Sequence, residues 1–152
     1  MKDQYVTCND LSLYTNVLNN QIQKKMYSLY NRKQYDESSL LNMWIVDYLC
    51  NMQELEKEVH QKDIESEFRI NRATASKTLK LMEKKQFIQR TNSVEDGRMK
   101  IISLLPRGIE LQKLWITISS ETEKQLMECI TEKEKAAFVR ISKKILAKLD
   151  NL

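Results

Sequence analysis

The chain has 152 residues, 41% of them hydrophobic, which is the size and apolar content of one domain with a real core. Two glycines and one proline are too few for the turns of a mostly β fold, and runs rich in Leu, Lys, Glu, Met and Gln favour helix. A net charge of +4 is too small to define a partner by itself, so the placement of the cations decides. No apolar run approaches the about 18 residues that span a bilayer. The opening MKDQYVTCNDLSLY has acidic and polar residues where a secretory signal needs an apolar stretch, so a cytoplasmic protein is expected. Cys8, Cys50 and Cys129 are odd in number and form no CxxC pair, which points to free thiols rather than a disulfide framework or a zinc knuckle.

In chain order, Leu11, Leu18, Ile22, Met26 and Leu29 recur at helical spacing and predict an amphipathic helix over residues 9–31. The polar break NRKQYDESS follows. The run LLNMWIVDYLC is apolar on more than one side, which predicts a short buried helix around Trp44 and Leu49. In HQKDIESEF, Ile64 and Phe68 are four apart and seat a third, short helix by a single stripe.

Next comes INRATASKTLKLMEKKQFIQR. Asn71 is a good N-cap, and Arg72 to about Lys85 runs without Gly or Pro, so a helix is predicted there. At about 100° per residue, Ala75, Thr78, Leu79 and Met82 share one face. Ala73, Ser76, Lys77, Lys80 and Lys84 share the other. A cationic face is most often just a solvated one, but three neighbouring features favour more. The short helix just before gives helix-turn-helix spacing. FIQRT and MKIISL flank the Gly-containing loop NSVEDGR and read as a β-hairpin, a wing beside the helix. Between Phe68 and Ile101, finally, the cations Arg69, Arg72, Lys77, Lys80, Lys84, Lys85, Arg90, Arg98 and Lys100 face only Glu83, Glu95 and Asp96. That local excess is larger than the net charge of the whole chain.

These segments resemble the winged helix-turn-helix of the MarR family of bacterial transcriptional regulators. QKDI, INRATASKTLKLMEKKQFIQR, VEDGRMKIISL and RGIEL carry the likeness, which is close over residues 40–112. Asp96 and Arg98 fall where the family has its Asp-x-Arg wing tip, and Gly108 where a Gly opens the next helix. The sequence departs from the pattern at His60, where Ser or Thr usually caps the first helix of the motif. It departs again at Gln86, where Gly usually ends the recognition helix, and at Gly97, in place of a frequent Arg.

The expected fold is therefore mainly α with a small β-hairpin wing, one domain over 1–152. Its DNA-binding lobe spans 36–105 and its helical dimerisation region 8–31 and 107–152. On the recognition helix, Arg72 and Lys77 suit guanine O6 and N7, Thr74 and Ser76 suit bases or phosphate, and Lys80 and Lys84 lie on the same cationic face. Lys84, Lys85, Arg90 and Lys100 are expected at phosphates along the groove edges. Arg98 suits an AT-rich minor groove, held in place by a side-chain pair with Asp96.

Pro106 can open a long helix, and Thr131 with Glu134 forms a capping box before a last helix marked by Phe138, Ile141, Ile145, Leu149 and Leu152. The terminal helices carry more apolar stripe than one winged domain covers, so a homodimer on a pseudo-palindromic double-stranded operator is expected, as the resemblance also implies. The resemblance further implies a small aromatic effector, for which Tyr14, Tyr30, Trp44, Tyr48 and Trp115 are candidates, with plain core packing as the other reading of the same residues. It also suggests oxidant sensing at Cys8. No nucleophile sits beside a base, no Gly-rich phosphate loop occurs, and one histidine, His60, makes no His-based zinc site, so no enzyme, cofactor or metal is expected. The reading is a sequence-specific transcriptional regulator, a repressor released by a small-molecule or oxidant signal. Its alternative is a winged-helix protein-interaction module or antirepressor that does not bind DNA.

Overall fold

The structure, a computed structural model, describes residues 10–152, so Cys8 lies outside the described residues. The elements are α1 (Leu11–Ser28), α2 (Leu40–Glu54), α3 (Gln61–Phe68), α4 (Arg72–Lys84), β1 (Ile88–Asn92), β2 (Lys100–Leu104), α5 (Pro106–Leu126) and α6 (Glu132–Leu149). This is the mainly helical winged architecture the sequence predicts. The first helix ends earlier, at Ser28, than its apolar spacing suggests. The polar break after it holds one turn of 3-10 helix, Arg32–Tyr35, started by Asn31, whose side chain accepts from the Lys33 N–H.

Contacts divide the chain into two compact units, residues 1–118 and 119–152. In the first, α2 supplies the centre of the core: Leu40, Met43, Ile45, Val46 and Leu49 are all buried, as the dense apolar run requires. Its N-terminus is satisfied by side chains. Ser39 Oγ accepts from the Asn42 N–H at 3.2 Å, and the Tyr27 hydroxyl accepts from the Leu40 N–H at 3.1 Å. Ile64 of α3, Leu79 and Met82 of α4, Phe87 and Ile88 at the start of the hairpin and Leu111 of α5 join the same cluster. Each such side chain contributes on the order of 2 kcal/mol by leaving water.

The hairpin is antiparallel, with Ile88 opposite Leu104, Arg90 opposite Ile102 and Asn92 opposite Lys100. Its outer edge is not bare, since the Ile102 N–H donates to the Val59 carbonyl at 2.8 Å. Gly108, in the first turn of α5, has a packing role. A Cβ there would lie 2.1 Å from the Phe87 carbonyl oxygen, so only glycine lets the helix pass so close to the hairpin.

In the second unit, Thr131 and Glu134 form the capping box expected from the sequence. Thr131 Oγ1 accepts from the Glu134 N–H at 3.2 Å, and the Glu134 carboxylate accepts from the Thr131 N–H at 2.7 Å. Lys135 pairs with Glu123. The stripe Phe138, Ile141, Ile145, Leu149 and Leu152 is exposed along α6. No helix of the described residues is long and apolar enough to cross a membrane.

Candidate nucleic-acid interface

The helix-turn-helix is built from two caps placed back to back. α3 ends at Arg69, whose φ of 48° is left-handed, and the Ile70 N–H returns to the Glu65 carbonyl at 3.1 Å. Two residues later Asn71 starts α4, its Oδ1 accepting from the Thr74 N–H at 2.8 Å. At the far end of α4, the Gln86 N–H donates to the Glu83 carbonyl and the Phe87 N–H to the Met82 carbonyl, both at 3.0 Å. This is a Schellman closure, and it puts Gln86 at φ 63° and drives Phe87 into the core. The family-type glycine is missing here, but the conformation it would serve is kept.

The inner face of α4 is Ala75, Leu79 and Met82, each fully buried, with Thr78 half-buried beside them. Outward, Thr74, Lys77, Lys80 and Lys84 are exposed and Ser76 is half-buried, while Arg72, also exposed, sits at the N-terminal end of the helix. The ammonium groups of Lys77, Lys80 and Lys84 have no hydrogen-bond or ion-pair partner among the described residues, so their charge is available to a ligand.

Two cations differ from their expected roles. The Arg90 side chain is mostly buried and grips Glu83, with Nε at 3.2 Å and Nη2 at 2.8 Å from the same carboxylate oxygen. Its charge is spent on fixing β1 to α4, not left facing outward. Lys85 donates from Nζ to the Asp36 carbonyl at 2.7 Å, while Arg107 donates to the Lys85 carbonyl at 2.8 Å and pairs with the Asp36 carboxylate. That cluster ties the C-terminal end of α4 to the 3-10 turn and to α5. Lys100 keeps an exposed ammonium with no partner among the described residues.

At the wing, Asp96 Oδ1 accepts from the backbone N–H of Arg98 at 3.0 Å. The side-chain pair expected between them is not formed: Asp96 closes the turn through the main chain and leaves the Arg98 guanidinium exposed, without a partner among the described residues. Buried Ser93 completes the turn, its N–H donating to the Met99 carbonyl at 2.8 Å and its hydroxyl accepting from the Glu95 N–H at 3.3 Å.

Of the five aromatic candidates, Trp44 and Trp115 are in ring contact with each other, and Tyr30 and Tyr48 pack against the same core beside other rings. Tyr14 is exposed on α1. Tyr30 donates to the Ser38 carbonyl at 3.0 Å and packs near Tyr27 and Tyr35. Trp44 meets Trp115 edge to face at 6.2 Å, and Tyr48 meets Phe68 at 5.9 Å. Of the remaining thiols, Cys50 is pushed up from its ordinary pKa, first by burial and then by Glu54 and Asp47, which opposes formation of a reactive thiolate. His60 caps α3, its N–H donating to Asp63 Oδ2 at 2.7 Å. Its ring lies between carboxylates, 3.5 Å from Asp63 and 3.9 Å from Glu58.

Residues 49–100 match the family model described as "MarR family". The HTH-type transcriptional regulator PrsX of Escherichia coli is 30% identical over 90 residues, which cover 59% of this chain and 54% of that one. The chain thus spans about half the length of the curated relatives it matches. Among solved structures, the transcription regulator MarR from Oenococcus oeni PSU-1 is 28% identical at a TM-score of 0.73, covering 91% of this chain and 99% of that one. MepR of S. aureus, solved as a DNA complex, is 24% identical at a TM-score of 0.79, covering 91% of this chain and 98% of that one, and so shares the fold. The helix pair α3–α4 and the β1–β2 hairpin are accordingly a winged helix-turn-helix, and residues 49–100, which span that lobe from α2 to the start of β2, are similar to the MarR family.

Proposed function

We propose that the protein is a sequence-specific transcriptional regulator that binds double-stranded DNA through α4 and the wing. The observation that carries the reading is the contrast between the two faces of α4: Ala75, Leu79 and Met82 are fully buried, while Lys77, Lys80 and Lys84, like Arg98 of the wing, stand exposed with no side-chain partner among the described residues. Cations held off internal partners on one face attract phosphates by releasing condensed counterions. The S. aureus MepR structure, described as a DNA complex, supports the same use of this fold by analogy.

The protein acts as a homodimer on a pseudo-palindromic operator. Leu11, Leu13 and Leu18 on α1, and the α6 stripe of Phe138, Ile141, Ile145 and Leu149, are large apolar side chains left exposed in one chain. A second copy is the occupant that would cover them and set two recognition helices about one DNA turn apart. Regulation is repression relieved by a chemical signal, small molecule or oxidant, a reading supported by the family rather than by any one cavity. Selecting duplexes from random sequence with the purified protein tests the core of the proposal: an enriched, two-fold-related motif is expected, and no enrichment overturns it. A protein-interaction module would instead show weak binding with little salt dependence.

A further inference from the structure

Arg72 does not stand with Lys77 on the outward face of α4. It turns into a cleft of about 410 Å³ between the start of α3, the start of α4 and the base of the wing. Lys62, Arg98 and Lys100 line the same cleft. None of these four side chains has a hydrogen-bond or ion-pair partner among the described residues, whereas Lys85, Arg90, Arg107 and Lys135 all find one. The lining acid, Glu65, has its carboxylate engaged by the Gln61 amide at 3.0 Å. Bringing unpaired like charges to one concavity costs stability, and such a cost is kept where an anion is to be held. The wall is not wholly polar, since Met99 is 40% exposed there and Ile102 lies below it. Cations beside an apolar ledge fit a phosphate joined to a sugar better than a free phosphate ion, whose whole surface demands donors.

We infer that this cleft is the seat of one backbone phosphodiester of the bound duplex, with Lys62 and Arg72 as its ligands from the helix-turn-helix and Arg98 and Lys100 closing it from the wing. The inference rests on the DNA-binding reading above and changes it in one respect. Arg72 positions the duplex and does not read a base, so base discrimination falls to Lys77 and its neighbours on the outward face. Lys62, which no sequence pattern singles out, joins the interface.

The test compares wild type with Lys62→Ala, Arg72→Ala, Arg72→Lys and Lys77→Ala, all as the full chain, on the duplex that wild type selects and on an unrelated duplex. Lys62→Ala and Arg72→Ala are expected to weaken both duplexes by the same factor, roughly fivefold each, and each to lower the log–log salt slope by about one. Arg72→Lys is expected to restore most of the loss, because a phosphate accepts a point charge whereas a bidentate guanine contact does not. An Arg72→Ala variant that loses preference at one base position, and is not rescued by Lys, overturns the assignment. Unchanged affinity in Lys62→Ala overturns it equally. A second arm replaces chloride by inorganic phosphate at constant ionic strength. No rise in the thermal midpoint is expected, while a rise abolished by Lys62→Ala and Arg72→Ala makes the cleft a free-anion site instead. Matching thermal midpoints of the variants in chloride exclude misfolding. Failure of wild type to bind any duplex would remove the proposed function itself, a result distinct from any of these.

Discussion

Arg90 of β1 closes on Glu83 of α4 with two donors on one carboxylate oxygen, at 3.2 and 2.8 Å. The pair bridges the end of α4 and the start of the wing, so the angle between these two elements is set partly by a charge contact. Removing one partner strands the other. Glu83→Ala is expected to destabilise the fold by about 1–2 kcal/mol in urea titration, more than an exposed surface pair would, because the Arg90 side chain is only 17% exposed. Stability unchanged within error would mean that the pair is ornamental.

Backbone strain at the end of α4 gives a gain rather than a loss. Gln86 holds φ 63°, a conformation that costs a side-chain-bearing residue about 1 kcal/mol or more and glycine little. Gln86→Gly is expected to stabilise by about 0.5–1 kcal/mol, less than the strain alone because the unfolded chain gains freedom. Gly108→Ala is the counterpart: its methyl would meet the Phe87 carbonyl at 2.1 Å, and a loss of about 3 kcal/mol or failure to fold is expected. Chemical denaturation of the two variants beside wild type checks both signs.

At the wing tip, a Cβ added to Gly97 would meet nothing within 4 Å, and the backbone φ there is not positive, so a long residue fits. Gly97→Arg is expected to tighten DNA binding several-fold and to steepen the salt slope by about one. Arg98→Ala is expected to weaken specific binding about tenfold. Mobility-shift titrations at fixed salt decide both, and equal affinities for all three proteins would count against the wing as a contact.

The capping box of α6 titrates. The backbone N–H of Thr131, and then its hydroxyl, hold the Glu134 carboxyl below its ordinary pKa. A group depressed in the folded state contributes stability that is present above its unfolded value and lost as pH falls through the folded one. Amide protection at residues 132–135, corrected for intrinsic exchange, is therefore expected to drop between about pH 6 and pH 3. Glu134→Gln is expected to lack that drop, and equal pH dependence in both proteins would contradict the assignment.

What the sequence discloses, and what it hides, follows from how far apart the interacting groups lie. Asn71 before an uninterrupted run fixes the start of α4 because capping is local, and Thr131 with Glu134 fixes α6 for the same reason. The Lys85–Asp36 contact spans 49 residues and leaves no pattern to find, so Lys85 reads as one more exposed cation. Glu83 is the available signal for Arg90, being the one acid within α4, but seven residues and a change from helix to strand separate them. At the wing, Asp96 acts as a turn former bonding main chain two residues on, a habit of Asp, and not as the partner of a guanidinium. Among the aromatic candidates Trp44 finds Trp115 but Tyr48 finds Phe68, because periodicity places a ring on a face of its own helix and says nothing about which helices meet.

The central claim is that the free cations of α4 and the wing face a duplex. The most direct test is the dependence of affinity on salt for the selected duplex, measured from about 50 to 300 mM, with wild type beside a Lys77→Ala, Lys80→Ala, Lys84→Ala variant. Wild type should fall steeply, at a log–log slope of about −4 or beyond, and the variant should be flatter by roughly two to three. A wild-type slope near zero, or equal slopes for the two folded proteins, would show that this face is turned to solvent alone.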